Sequence, residues 1–107
     1  MKATKIKLDK QRLFVYNLKA LRELEIALGE PLFTVFADEK KMASIDVMCK
    51  FIWAGMIEHE ELTLDEALDI IPLMGIADIM AQCGELLGSA MQGEVQKKTQ
   101  PGKARAL

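Results

Sequence analysis

His59 is the only histidine in the chain, and it stands in the run Glu58-His59-Glu60-Glu61. An imidazole flanked by carboxylates is the first place to look for a metal ion, with the carboxylates suiting a hard cation. Consecutive positions on a helix point in different directions, however, and no cysteine lies near in sequence. The spacing matches no recognised metal site, so a solvated polar turn is the expectation. The acidic run continues through Asp65, Glu66 and Asp69. Asp65 and Glu66 fit the start of a helix, where negative charge is favoured, and the whole cluster reads either as a solvated face or as a rim for a basic partner. Paired-carboxylate catalysis would need a cleft and a positioning partner that the sequence does not supply. Ser44 and Ser89 have no triad context, and Cys49 and Cys83 fall on apolar helix faces where a thiolate is disfavoured. There is no phosphate-binding loop and no G-x-G-x-x-G. Neither a cofactor nor an enzymatic activity is expected.

The elements that would have to position these residues are legible from periodicity. The stretch Ile45–Ile57 carries Ile45, Met48, Cys49, Ile52, Trp53, Met56 and Ile57 at three- and four-residue spacing, which places them on one helix face. Val47 and Phe51 widen that face, so the helix is expected to be central and covered on more than one side. Ser44 is its expected N-cap. Before it, Lys5–Leu8 alternates, with Ile6 and Leu8 on one face, and Asp9-Lys10-Gln11 is a turn. Leu13–Tyr16 is aromatic and β-branched enough for a second strand. A hairpin over about residues 5–16 is marginal alone and must lie against helices or another subunit. Asn17 caps a helix over Leu18–Leu28, which Gly29 and Pro31 close. Pro31 opens a short helix at its first position, bringing Phe33 and Phe36 into one cluster.

Farther on, Thr63-x-x-Glu66 is a capping box, and the helix it starts runs to a kink or stop at Pro72. A last helix carries Ile76, Ile79, Met80, Cys83, Leu86 and Leu87. Gly84 and Gly88 on it either weaken a fraying end or admit another helix closely. From Gln92 the apolar pattern collapses into a composition typical of disorder. The expectation is therefore a mostly α protein: one domain over residues 1–91, in which a small N-terminal β-hairpin precedes a four- to five-helix bundle, and a disordered basic tail over 92–107.

Of the 107 residues, 50% are hydrophobic and 28% charged, an ordinary globular balance. Residues 92–107 hold four basic residues against one acidic, a net of +3, so the formal charge of −2 leaves −5 on the body. An acidic body gives no electrostatic reason to bind nucleic acid. The start has no apolar signal region and no run approaches the ~20 residues that cross a bilayer; a cytoplasmic protein with reduced thiols is expected. Seven methionines fill core gaps or line an adaptable partner groove. The apolar faces exceed what one thin hairpin and four modest helices obviously cover, which favours association with copies of itself or with an apolar helical partner.

The residues Lys5–Asp9, Asn17–Phe33, Ile52–Met56 (the W-A-G segment) and Glu60–Ala67 together resemble the small tail assembly chaperones of long-tailed bacteriophages and prophages. The resemblance spans the order of elements across most of residues 5–74 and rests on pattern, with no single diagnostic motif. It implies a mostly helical, non-enzymatic protein of the host bacterial cytoplasm that binds the long helical tape measure protein and keeps it soluble while tail tube subunits polymerise. It also implies a longer frameshifted form whose extension engages the tail tube protein, and the stretch from Gln92 would be the junction. On that reading Phe33, Phe36, Trp53, Met56 and Met80 are the expected groove, and Glu58, Glu61, Asp65 and Asp69 belong to its charged rim. The alternatives are a structural tail or head–tail connector subunit, or a self-associating host regulatory protein.

Overall fold

The computed structural model describes residues 3–99. Its centre is the expected apolar helix, here α4 (Ile45–Glu60), capped by Ser44, whose hydroxyl accepts from the Val47 amide. Phe51, Ile52, Ala54, Gly55 and Met56 are all buried. Ile45 is the exception on the expected face: it is 54% exposed, because it sits in the first turn, beyond the reach of the elements that cover the helix. The helix continues three residues past Ile57 and stops at Glu61, which adopts the left-handed conformation at φ 53°. The apolar stripe thus ends one turn before the backbone hydrogen bonding does.

β1 (Thr4–Lys7) and β2 (Gln11–Phe14) form an antiparallel hairpin in which Thr4 faces Phe14 and Lys7 faces Gln11. Ile6 and Leu8 are buried and Lys5 and Lys7 exposed, as the alternation requires. The expected second strand ran to Tyr16, but strand pairing ends at Phe14. Beyond it the chain pairs with a helix instead: the Val15 amide donates to the Gly55 carbonyl of α4 at 2.8 Å. Tyr16 then reaches across α4, its hydroxyl donating to the Phe51 carbonyl at 2.8 Å and its ring stacked on Phe51 at a centroid distance of 5.2 Å. Within the chain the hairpin is therefore held by α4.

α1 (Leu18–Leu28) has the expected bounds. The Asn17 side chain accepts from the Ala20 amide at 2.9 Å, and Gly29 at φ 75° closes the helix. Pro31 caps α2 (Leu32–Phe36) from outside instead of occupying its first position, and the Leu32 amide donates to the Glu25 carboxylate at 2.8 Å. The run Asp38–Lys41 is a helical turn of its own, α3 (Glu39–Met42), because the Asp38 carboxylate accepts from the Lys40 and Lys41 amides.

The capping box is present at α5 (Leu64–Ile70), with both reciprocal Thr63 and Glu66 bonds formed. This helix stops one residue before the expected end. Ile71 is extended, as the residue preceding proline is pushed to be. α6 (Ile76–Thr99) keeps a helical backbone eight residues beyond the expected boundary at 91. Gln, Glu and Lys are good helix formers, and only Gly93 in that stretch opposes them; loss of apolar periodicity ends packing, not hydrogen bonding. The rest of the expected tail, 100–107, lies outside the described residues.

The fold is mostly α: among the described residues a two-stranded hairpin is followed by six helical segments, two of them of only five and four residues. α1, β2, α5 and α6 all lie against α4. No helix among the described residues is long and apolar enough to cross a membrane.

Candidate functional site

Around His59 no chemistry converges. His59, Glu58 and Glu61 are exposed, while Glu60 turns back to the hairpin. One Glu60 carboxylate oxygen accepts from the Leu13 amide and the other from Arg12, each at 3.0 Å, and Arg12 also holds Asp9 at 2.8 Å. No group of three or more His, Cys, Asp or Glu that could hold a metal ion occurs among the described residues. Both thiols are free and buried. Burial pushes the Cys83 thiol up to about 11 and raises Cys49 as well, helped there by the Asp46 charge. Both are protonated at neutral pH. The Ser44 hydroxyl is engaged by its helix cap.

The Glu60 contacts do make a pH-dependent brace. The Leu13 amide, with Arg12, holds the Glu60 carboxyl below its ordinary value of 4.5, and the Arg12 hydrogen bond holds Asp9 at about 2. A depressed carboxylate pKa gives stability that is fully present above the ordinary value and lost as pH falls through the lowered one. Glu60→Gln is expected to lower unfolding stability by about 1–2 kcal/mol near neutral pH, the scale of a charge-assisted hydrogen bond. The gap from the wild type should close as pH falls below the ordinary value of 4.5 and through the lowered Glu60 value. Urea midpoints measured across that range check both statements.

The open apolar surface lies along α6. Ile79, Cys83 and Leu87 are buried and seat the helix on the core. On one flank, a cleft of about 420 Å³ runs between α6 and the α2–α3 segment, lined by Phe36, Met42, Phe51, Met80, Gly84, Leu87, Gly88 and Met91. On the other, a cleft of about 410 Å³ is lined by Leu18, Leu21, Arg22, Glu25, Leu32, Phe33 and Met91. A third, of about 610 Å³, is bounded by Val15, Tyr16, Leu18, Leu21, Glu58, His59 and Met91, among others. Met91 borders all three. Gly84 and Gly88 keep the first cleft open: a Cβ built on either meets nothing within 4 Å. An aromatic ladder leads out of the core, with Phe36 edge-on to Phe51 at 5.7 Å and Phe33 edge-on to Phe36 at 6.2 Å.

Of the groove residues expected from sequence, Phe36 and Met80 line the first cleft and Phe33, 66% exposed, lines the second. Met56 is corrected: it is 0% exposed and belongs to the core, because it lies on the side of α4 that the other elements cover. Trp53 is half-buried and lines none of these clefts. Its indole nitrogen donates to the Leu62 carbonyl at 2.8 Å, tying α4 to the loop before α5. Glu58 borders the third cleft, whereas Glu61, Asp65 and Asp69 are exposed away from all three. Of the expected rim, only Glu58 therefore borders a cleft.

Leu18 (85% exposed), Met42 and Met91 were not singled out as site residues. Leu18 carries the period of α1 but sits at its first position, where no element covers it. Family models, curated proteins and solved structures contain no match to this chain.

Proposed function

We propose that the protein is a non-enzymatic tail assembly chaperone that holds apolar helical segments of the tape measure protein in the host bacterial cytoplasm during tail morphogenesis, with the tail tube protein as a possible second partner. The observation that carries this reading is the apolar cleft along α6. From Met80 to Met91 it follows eleven residues of helix, roughly 16 Å at 1.5 Å per residue. That length matches about three turns of a partner helix presenting apolar residues at i, i+3/i+4 and i+7. Three methionines, Met42, Met80 and Met91, line the first cleft. Flexible thioether side chains repack around differing apolar sequences, as a holder of a long, varied helical client requires. Exposed Phe33, edge-on to half-buried Phe36, adds a rigid aromatic edge of the kind that dominates interface energetics. The order of sequence elements that resembles the tail assembly chaperones supports the same reading.

Co-expression with the phage tape measure protein tests it. The expected result is a severalfold rise in the soluble fraction of that protein. An equally insoluble tape measure protein with and without this chain would remove the reading. Purified virions, examined by mass spectrometry, should lack the protein; its presence there in stoichiometric amount would favour a structural tail or connector subunit.

A further inference from the structure

The second exposed apolar surface lies at the opposite end of α6, in the elbow that joins α5 to it. Leu73 and Met74 are 78% and 87% exposed, among the most exposed large apolar side chains described, and Leu68 of α5 is exposed beside them in sequence. The elbow has a local cause. Pro72 ends α5, Gly75 at φ 92° starts the new direction, and the intervening residues are carried outward. Leu73 and Met74 line none of the clefts under the other end of the helix.

The charged Asp, Glu, Lys and Arg side chains of the segment that runs through this elbow have one sign. Between Lys50 and Lys97 the sequence contains no Lys or Arg. Residues 58–91 carry seven exposed carboxylates, and none of the seven is ion-paired with a described cation. Asp65 and Asp69 stand one turn apart on α5 with Leu68 between them, and Asp78 lies in the first turn of α6. By contrast, the hairpin, α1 and α3 hold Lys5, Lys7, Lys10, Lys19, Lys40 and Lys41. A solvated acidic face would not need large apolar side chains at its middle. An apolar knob in a segment whose own ionised side chains are all acidic attracts a partner that is apolar and basic.

We infer that the α5–α6 elbow is a second docking surface, separate from the α6 cleft, whose occupant is a cationic amphipathic helix of a partner protein: the partner's apolar residues cover Leu68, Leu73 and Met74 while its Lys and Arg side chains meet Asp65, Asp69 and Asp78. The inference does not rest on the chaperone reading. The same chain thus carries two differently tuned surfaces, a cleft beside Gly84 and Gly88 lined by apolar side chains and an elbow flanked by carboxylates, suited to partners of different chemistry.

The probe is a fluorescent helical peptide of alternating Leu and Lys faces, with a Leu–Glu peptide of equal apolar content as its control, titrated into the full chain by anisotropy. The Leu–Lys peptide should bind at least tenfold tighter than the Leu–Glu peptide, with affinity falling as salt rises. Leu73→Ser combined with Met74→Ser should weaken it at least tenfold, and Asp65→Asn with Asp69→Asn should do the same. Glu23→Gln with Glu39→Gln, which removes the same number of charges from α1 and α3, should change it less than twofold. Equal loss in the α1–α3 variant would show general attraction to an acidic protein and overturn the inference, as would binding indifferent to Leu73 and Met74. Concentration-dependent self-association that the Leu73→Ser/Met74→Ser variant abolishes would also overturn it, by making the elbow an interface between copies. Circular dichroism of each variant confirms that the fold is retained, and binding lost with the fold intact supports the inference.

Discussion

Gly55→Ala should destabilise the protein by about 2 kcal/mol and Gly55→Val by more, as read from chemical denaturation. The Cβ of any larger residue would lie 2.6 Å from Phe14 Cδ2 and 2.9 Å from both Cζ and the hydroxyl oxygen of Tyr16. Neither ring can retreat. Phe14 and Tyr16 are buried, Tyr16 is fixed by its bond to the Phe51 carbonyl, and the Val15 amide between them is bonded to Gly55 itself. Overpacking a tight core costs about 1–3 kcal/mol and occasionally more. Alanine in mid-helix returns up to ~1 kcal/mol of propensity; with two fixed rings inside 3 Å the clash belongs at the upper end of that range, about 3 kcal/mol, which leaves a net near 2 for Ala. A β-branched side chain adds bulk without that return. Against a typical stability of about 5–15 kcal/mol, the Val variant should show a large unfolded fraction on mild heating. An unchanged denaturation midpoint for Gly55→Val would mean that the hairpin does not lie on α4 as described.

That close approach shows where the sequence stops being informative. Local chemistry was legible wherever a short segment satisfies its own backbone. Asn17, Ser44 and Thr63 with Glu66 each cap a helix at the position their side chains indicate. The apolar stripe of α4 likewise identified the centre of the fold. What periodicity could not give was which part of a wide stripe is covered, because covering depends on elements distant in sequence. Met56 and Met80 carry the same signal in sequence; one is enclosed by the core and the other lines an open cleft. The end of the second strand was illegible for the same reason, since Val15 bonds to a helix forty residues away. Gly84 and Gly88 gave two readings in sequence, and the open space over both fits either of them.

The double substitution Gly84→Leu/Gly88→Leu should move stability and function in opposite directions. Both glycines are exposed on α6 with no neighbour near a built Cβ, so larger side chains meet no clash. Exchanging two mid-helix glycines for a good helix former should raise stability by about 1–1.5 kcal/mol, a rise in Tm of roughly 5 °C for a domain this size. The new leucines would project into the cleft lined by Phe36, Met42 and Met80 and fill the space a client helix needs. Under the proposed function, solubilisation of the tape measure protein in co-expression should fall to the level seen without this protein. Gly84→Ala/Gly88→Ala controls for rigidity, giving a similar stability gain while leaving most of the cleft open. A Leu variant that is more stable and still fully active would place client binding elsewhere.

The most direct measurement is the response of the methionine methyl groups to a client helix, read by NMR with isotope-labelled methionine. The chain supplies reporters at distinct places: Met42, Met80 and Met91 line the cleft, Met56 is enclosed in the core, and Met74 stands on the elbow. A helical apolar segment of the tape measure protein, titrated to saturation, should shift Met42, Met80 and Met91 strongly and leave Met56 and Met74 close to their free positions. Shifts confined to Met74, or none among the three cleft methionines, would contradict the claim that the α6 cleft is where the client is held.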